Sequence, residues 1–102
     1  QVRKDLIIVA FGGNALLRAK EKGTIEEQEK NARETCKNIF CLIRRGYNII
    51  ITHGNGPQVG NILMRNELAS SSIAPMPLDV CVADSQGQIG FILQQELLNE
   101  LN

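Results

Sequence analysis

The stretch LIIVAFGGN, at residues 6–14, joins an unbroken apolar run to an abrupt glycine turn. Leu6–Phe11 is rich in β-branched residues, which is typical of a strand buried on both faces in a parallel sheet covered by helices. Gly12 and Gly13 then end the strand, because glycine permits backbone conformations and close approaches that a Cβ would prevent. A strand that turns into a helix in this way leaves N–H groups unpaired beyond its carboxyl end, and a phosphate fits there.

A second stretch, NIIITHGNGP at residues 48–57, has the same organisation of a strand followed by a glycine turn. Between the two, Thr24 and Glu27 have the spacing of a capping box, and apolar residues then recur at helical spacing towards Gly46. This pattern predicts a helix that begins after Thr24 and ends at a left-handed glycine. Strand, helix and strand in this order form a right-handed βαβ crossover. Both glycine turns should therefore lie at one edge of a parallel sheet, where open α/β folds bind ligands.

Two further helices are predicted after the second turn. Pro57 suits the first position of one helix, which runs to about Ala69. Asp79 is placed to cap the other. The last helix carries an apolar stripe formed by Ile89, Leu93, Leu97 and Leu101, with Ile92 beside it. It also carries small residues that would admit a neighbouring helix or subunit, namely Ala83, Gly87 and Gly90.

The sequence predicts an α/β fold, but an incomplete one. Only two strands can be identified, whereas a sheet that is stable alone normally needs a third strand or more. Exposed sheet edges would also invite association with another chain. We therefore expect more chain, or a partner, to complete the sheet.

Charge and composition narrow the range of functions. Eleven basic and eleven acidic residues among 102 cancel, and no basic stripe is interleaved with aromatic residues. No nucleic acid or membrane surface is therefore expected as a partner. No apolar run approaches the roughly 20 residues that span a bilayer, and no signal-peptide pattern is present. A cytoplasmic protein with small-molecule substrates is the expectation.

The three cysteines predict no metal site. Cys36, Cys41 and Cys81 are not spaced as metal ligands with His53, the only histidine. Their odd number fits reduced, mostly buried thiols in a reducing compartment. No metal ligand is therefore assigned in this chain.

The residues alone leave several interpretations of the glycine turns open. The glycines can simply allow sharp turns, although two such turns at one sheet edge favour a ligand site. The chain lacks GxxxxGK[ST], which excludes a Walker P-loop. GNGPQVG at residues 54–60 places its last glycine one residue too far for the usual dinucleotide fingerprint, so only a variant Rossmann-type half remains as an oxidoreductase alternative. A non-catalytic anion-binding module, complete at this length, is the other alternative.

Several motifs together resemble the carbamate kinases, a branch of the amino-acid kinase family. They are FGGNAL at residues 11–16, THGNGPQVG at 52–60, and PLD at 77–79 with SQG at 85–87. The resemblance implies a three-layer α/β sandwich around a mainly parallel sheet. It also implies that residues 1–102 form the amino-terminal, carbamoyl phosphate-binding part of a single domain, without the nucleotide-binding part.

The resemblance implies reversible phosphoryl transfer between ATP and carbamate, run to form ATP from carbamoyl phosphate and ADP, with Mg²⁺. It also fits a homodimer formed through the last helices. The residues that would hold the transferring phosphoryl and carbamoyl groups are Gly12, Gly13 and Asn14 with Gly54, Asn55 and Gly56. His53, Pro57 and Gln58 would support them, and we expect His53 to brace the second turn through its ring N–H.

Catalytic lysines are not assigned in this chain. Many amino-acid kinases carry a lysine where Ala10 stands here. Carbamate kinases resemble this chain in lacking it, and they use lysines from later in the sequence. None of the chain's lysines is expected at a glycine turn, so the resemblance implies catalytic lysines beyond Asn102.

Overall fold

The chain forms a parallel βαβ unit followed by two helices. The computed structural model describes residues 5–102, so residues 1–4 of the predicted domain lie outside the described residues. The elements are β1 (Leu6–Phe11), a short 3-10 helix (Gly13–Ala15), α1 (Ile25–Arg44), β2 (Asn48–His53), α2 (Gly56–Leu68) and α3 (Leu78–Leu101). This order confirms the predicted α/β organisation.

The two strands pair in parallel over their full length. Their register runs from Leu6 beside Asn48 to Phe11 beside His53. Because the strands are parallel and end at the same level, the two glycine turns leave the sheet at the same edge. The predicted βαβ crossover and the predicted juxtaposition of the turns are both confirmed.

The first turn of α1 is the predicted capping box. The Glu27 N–H donates to Thr24 Oγ1 at 3.2 Å, and Glu27 Oε1 accepts the Thr24 N–H at 3.0 Å. The same oxygen accepts the Gly23 N–H at 2.8 Å. At the other end, Gly46 has a φ of 90°, the left-handed conformation predicted for the helix stop.

The core lies between α1, α3 and one face of the sheet. Its buried members are Leu16, Ala32, Cys36, Ile89, Ile92 and Leu93, with Phe11, Ile51 and Leu97 packed against them. An ion pair of 3.1 Å between Arg33 and the buried Glu96 joins the two helices beside this core. The predicted stripe of α3 is thus buried over its middle part, while Leu101 at its end is 45% exposed.

The expectation that the strands are buried on both faces is wrong for the described chain. Side chains along both strands alternate between partly buried and exposed. The outward face carries Leu6, Ile8 and Ile50, which are 58%, 65% and 46% exposed. The helices α1 and α3 cover one face, and no element among residues 5–102 covers the other.

Two helix starts differ in detail from the prediction. Pro77, not Asp79, is the N-cap of α3. Asp79 lies within the first turn, where its carboxylate accepts the Val80 N–H at 2.9 Å. Helix α2 begins at Gly56, so Pro57 occupies its second position.

No helix in the described part of the chain combines the length and apolar character that crossing a bilayer requires.

Candidate functional site at the glycine turns

The two glycine turns are joined directly by a hydrogen bond. The Gly54 N–H donates to the Phe11 carbonyl at 2.8 Å, which extends the sheet ladder one residue beyond the strands. The first turn is closed by the Ala15 N–H, which donates to the Gly12 carbonyl at 3.0 Å. All six predicted site residues therefore lie at the carboxyl edge of the sheet. The Gly54 N–H belongs to the ladder and is not an anion donor.

Gly12 and Gly56 border open space, and neither has a strained backbone. Neither residue has a left-handed φ. A Cβ at Gly12 would have only the Asn14 backbone nitrogen nearby, at 4.0 Å, and a Cβ at Gly56 would have no neighbouring atom within 4 Å. Of the two properties that glycine permits, a positive φ and a close approach to the backbone, these positions do not use the first. A ligand can approach the backbone closely there.

The start of α2 supplies the second half of the site. Asn55 is its N-cap residue, and the Asn55 carbonyl accepts the Val59 N–H at 2.9 Å. Gly56 follows in the first turn, where helical N–H groups have no intrahelical acceptor and the helix dipole is positive. The Asn55 side chain does not cap the helix. Its Nδ2 instead donates to Ser85 Oγ on α3 at 2.7 Å.

The three supporting residues lie around the second turn. His53 Nδ1 is 3.2 Å from the Gly54 carbonyl oxygen. Only a protonated ring nitrogen can donate to that acceptor, which is the geometry expected for bracing. Gln58 is buried at 2% exposure, and Pro57 lines a cavity beside the first turn.

This cavity has a volume of about 570 Å³ and lies between the first turn and the start of α2. Asn14, Arg18, Lys20, Glu21 and Pro57 are among its lining residues. The sequence analysis did not assign Arg18 to the site, and it expected no lysine at a glycine turn, whereas Lys20 lines this cavity. The sequence signal for these two residues is the short segment between Ala15 and Ile25, which has to lead from the end of the sheet to the start of α1.

The charged residues that line this cavity are partly paired. Arg18 forms an ion pair of 3.1 Å with Glu34. The Glu21 carboxylate accepts the Arg18 N–H at 3.0 Å and the Asn31 side-chain amide at 2.8 Å. Lys20 has a φ of 71°, an uncommon backbone conformation for a residue with a side chain. The cavity is therefore bordered by a lysine and a carboxylate held in a fixed position.

Metal-ligating groups do not cluster near the turns. Within residues 5–102, no three His, Cys, Asp or Glu side chains lie together as a metal-binding group would require. The cysteines are unpaired, with Cys36 and Cys81 buried and Cys41 exposed. What the edge offers to a ligand is backbone N–H groups, open space beside glycine and a cationic side chain nearby.

A parallel βαβ unit with two glycine turns at the carboxyl ends of its strands defines an α/β protein of the kind that binds ligands at that end of the sheet. Residues 5–102 match the model of the Amino acid kinase family. The chain belongs to that family. This membership argues against the dinucleotide-binding alternative.

The relatives that it resembles are carbamate kinases. It is 50% identical to carbamate kinase of Pyrococcus horikoshii over 99 residues, covering 95% of this chain and 32% of that relative. It is 51% identical to the Halobacterium salinarum carbamate kinase over 94 residues, covering 92% of this chain and 30% of that one. The solved carbamate kinase from Giardia lamblia bound to AMP-PNP is 44% identical, with a TM-score of 0.88, over 94% of this chain and 33% of that chain.

These comparisons confirm the resemblance seen in the motifs and the α/β fold class. They also set its extent, because the chain spans about a third of the length of the curated relatives it matches.

Proposed function

We propose that the protein carrying this chain is a carbamate kinase, a phosphotransferase that moves a phosphoryl group reversibly between ATP and carbamate. In the direction we favour, it forms ATP from carbamoyl phosphate and ADP. One observation carries the proposal. Over 95% of the chain, half of the aligned residues are identical to those of a carbamate kinase. That span includes both glycine turns.

The geometry of the edge is suited to this chemistry. Phosphoryl transfer spreads charge over the equatorial oxygens, so catalysis depends on positioning and on preorganised donors more than on covalent help. In the proposal, backbone groups of Gly12, Gly13 and Asn14 face those of Asn55 and Gly56 across the phosphoryl and carbamoyl groups. Gly54 fixes the distance between the two turns through its bond to Phe11.

The nucleotide enters this proposal as the second substrate. A solved relative, the carbamate kinase from Giardia lamblia, was bound to AMP-PNP, which supports ATP or ADP as a substrate. Mg²⁺ would arrive with the nucleotide and neutralise charge on its phosphates. We further propose that the nucleotide contacts and the catalytic lysines come from sequence beyond Asn102. Among residues 5–102, Lys20 is the lysine that lines the cavity at the turns.

We also propose that the protein is a homodimer of the cytoplasm. Phe91 and Leu98 on α3 are 64% and 49% exposed, and a Cβ at Gly87 would have no neighbour within 4 Å. A second copy packed on this surface would bury it. Sedimentation of the complete polypeptide tests the dimer.

The proposed compartment rests on the cysteines. Free thiols at all three cysteines fit a reducing compartment.

The proposed reaction is tested by ATP formation. The intact mass of the polypeptide is measured first, so that the assay is made on the complete protein. ADP, Mg²⁺ and carbamoyl phosphate are then supplied, with acetyl phosphate as the matched control donor. We expect ATP from carbamoyl phosphate at least tenfold faster than from acetyl phosphate. An inactive complete protein that instead binds a nicotinamide cofactor, without competition from carbamoyl phosphate, would support the oxidoreductase alternative.

A further inference from the structure

Ser85 is a fully buried polar residue on α3 that contacts the second glycine turn. Its exposure is 0%. Its hydroxyl oxygen accepts a hydrogen bond from the Asn55 side-chain amide at 2.7 Å, and its O–H donates to the Val82 carbonyl at 2.7 Å. Both hydrogen-bonding functions of the hydroxyl are therefore used, and one of them reaches a residue of the proposed site.

The Asn55 side chain bonds to Ser85 and does not take its usual role at a helix start. Asparagine is among the best N-cap residues, because its side-chain oxygen accepts an N–H from the second or third helical residue. At α2 the second residue is Pro57, which has no N–H, so a cap would be directed to Gln58. The structure contains no such bond from the Asn55 side chain.

We propose that Ser85 is a positioning residue for the anion site. It holds the Asn55 carboxamide against α3, so that the carboxamide does not cover the first turn of α2, and the helix start faces the phosphoryl group. This inference rests on the proposed function, which places a phosphoryl group at that helix start. It gives the SQG segment at residues 85–87 a role at the site through Asn55, without contact between Ser85 and substrate.

The inference is tested by a double-mutant cycle in the complete protein. The variants are Ser85→Ala, Asn55→Ala and the double variant, with Ser85→Thr as the conservative control that keeps a hydroxyl. The probe is inorganic phosphate, whose Kd is measured by calorimetry. The KM values for carbamoyl phosphate and for ADP are measured alongside.

In Ser85→Ala the released Asn55 side chain is expected to cap α2 and compete with the anion. The loss of affinity should correspond to the stabilisation that one N-cap provides. We therefore expect the phosphate Kd and the KM for carbamoyl phosphate each to rise about fivefold. The KM for ADP should stay within about twofold, because the nucleotide contacts are proposed to come from sequence beyond Asn102. In the Asn55→Ala background the same serine change should alter the phosphate Kd by less than about twofold, since Ser85 acts only through Asn55. Ser85→Thr should bind phosphate nearly as the wild type does.

An equal effect of Ser85→Ala in both backgrounds overturns the inference. So does a lower melting temperature with an unchanged phosphate Kd, because that is what a purely structural serine would show. If Ser85→Ala does not fold, Ser85→Cys, which fills the same space with weaker hydrogen bonding, is used in the same cycle.

Failure of this inference can be told apart from failure of the proposed function. A protein that forms ATP from carbamoyl phosphate but shows no coupling between Ser85 and Asn55 overturns the inference alone. Coupling in phosphate affinity, in a complete protein without kinase activity, overturns the proposed function alone.

Discussion

At the residue scale, the glycines at the sheet edge give the sharpest test of the site. A Cβ at Gly56 or at Gly60 would meet no atom within 4 Å, and both residues lie in α2. Valine and glycine differ little in helix propensity, by about half a kcal/mol or less, so neither Gly56→Val nor Gly60→Val should unfold the protein. We expect Gly56→Val to lower kcat/KM at least a hundredfold, because its side chain would occupy the proposed position of the phosphoryl group, while Gly60→Val stays within about threefold. Equal activities at matched melting temperatures would remove Gly56 from the site.

The cysteines provide a second prediction for single residues. Burial, together with the negative charges of Glu96 and Glu100, raises the pKa of the Cys36 thiol to about 11. At pH 8 we expect iodoacetamide to modify the exposed Cys41, while Cys36 and Cys81 react only after unfolding. Peptide mass spectrometry locates the adducts, and Cys41→Ser is the control. Because the folded-state pKa is raised, the contribution of Cys36 to stability should be present below pH 9 and be lost as the pH rises towards 11.

The same scale shows why part of the site could be predicted from sequence and part could not. Gly12 and Gly56 could be proposed as site residues because a glycine after an apolar run is a local signal. The bond from Asn55 to Ser85 joins residues 30 positions apart, and no local pattern specifies the orientation of a side chain across a helix interface. Lys20 was not assigned for the same reason, since its position at the cavity depends on the path of a loop.

At the scale of elements, the capping box of α1 makes the clearest prediction. Thr24→Ala removes the acceptor of the Glu27 N–H and should lower the free energy of unfolding by about 1 kcal/mol. Thr24→Ser keeps the hydroxyl and should lose less than half of that. Urea unfolding of the complete polypeptide measures both. Equal stability of Thr24→Ala and the wild type would show that the cap is dispensable.

The pH dependence of this helix start follows from Glu27. Hydrogen bonds to its carboxylate, chiefly from the Thr24 backbone, lower the pKa of Glu27 below 4.5. A lowered folded-state pKa stabilises the protein above the unfolded pKa, and this contribution is lost as the pH falls through the folded one. The stability advantage of the wild type over Glu27→Gln should therefore be constant near neutral pH and shrink below pH 4.5. An advantage that grows on acidification would contradict the assignment.

Elements were predictable where their signals are local. The capping box, Gly46 and the spacing of apolar residues in α1 lie within a few residues of the features that they specify. Asp79 was assigned wrongly because a carboxylate near a helix start can lie at the cap or inside the first turn, and Pro77 takes the cap here. Burial of both strand faces was also predicted wrongly, because a continuous apolar run does not reveal which chain segments cover each face.

At the scale of the whole molecule, the shape departs from that of an independent domain. The radius of gyration is 16.0 Å, with extents of 60 × 25 × 22 Å, whereas a compact chain of this length has a radius of gyration of about 13 Å. The described sheet has two strands, and one of its faces is bare. These features agree with a chain that spans about a third of the length of its curated relatives.

We therefore predict that residues 1–102 expressed alone do not fold cooperatively. The exposed Leu6, Ile8 and Ile50 form an apolar sheet face, and its exposure to water is unfavourable. The isolated chain should bind a hydrophobic dye, associate in sedimentation experiments and melt over a broad temperature range. The complete polypeptide should show a sharp transition and little dye binding. Replacing Ile8 and Ile50 with threonine, which keeps the β-branched shape, should reduce association of the isolated chain without restoring cooperativity, since a two-stranded sheet lacks the packing for it. A monomeric isolated chain with a sharp transition would instead favour the anion-binding module that is complete at this length.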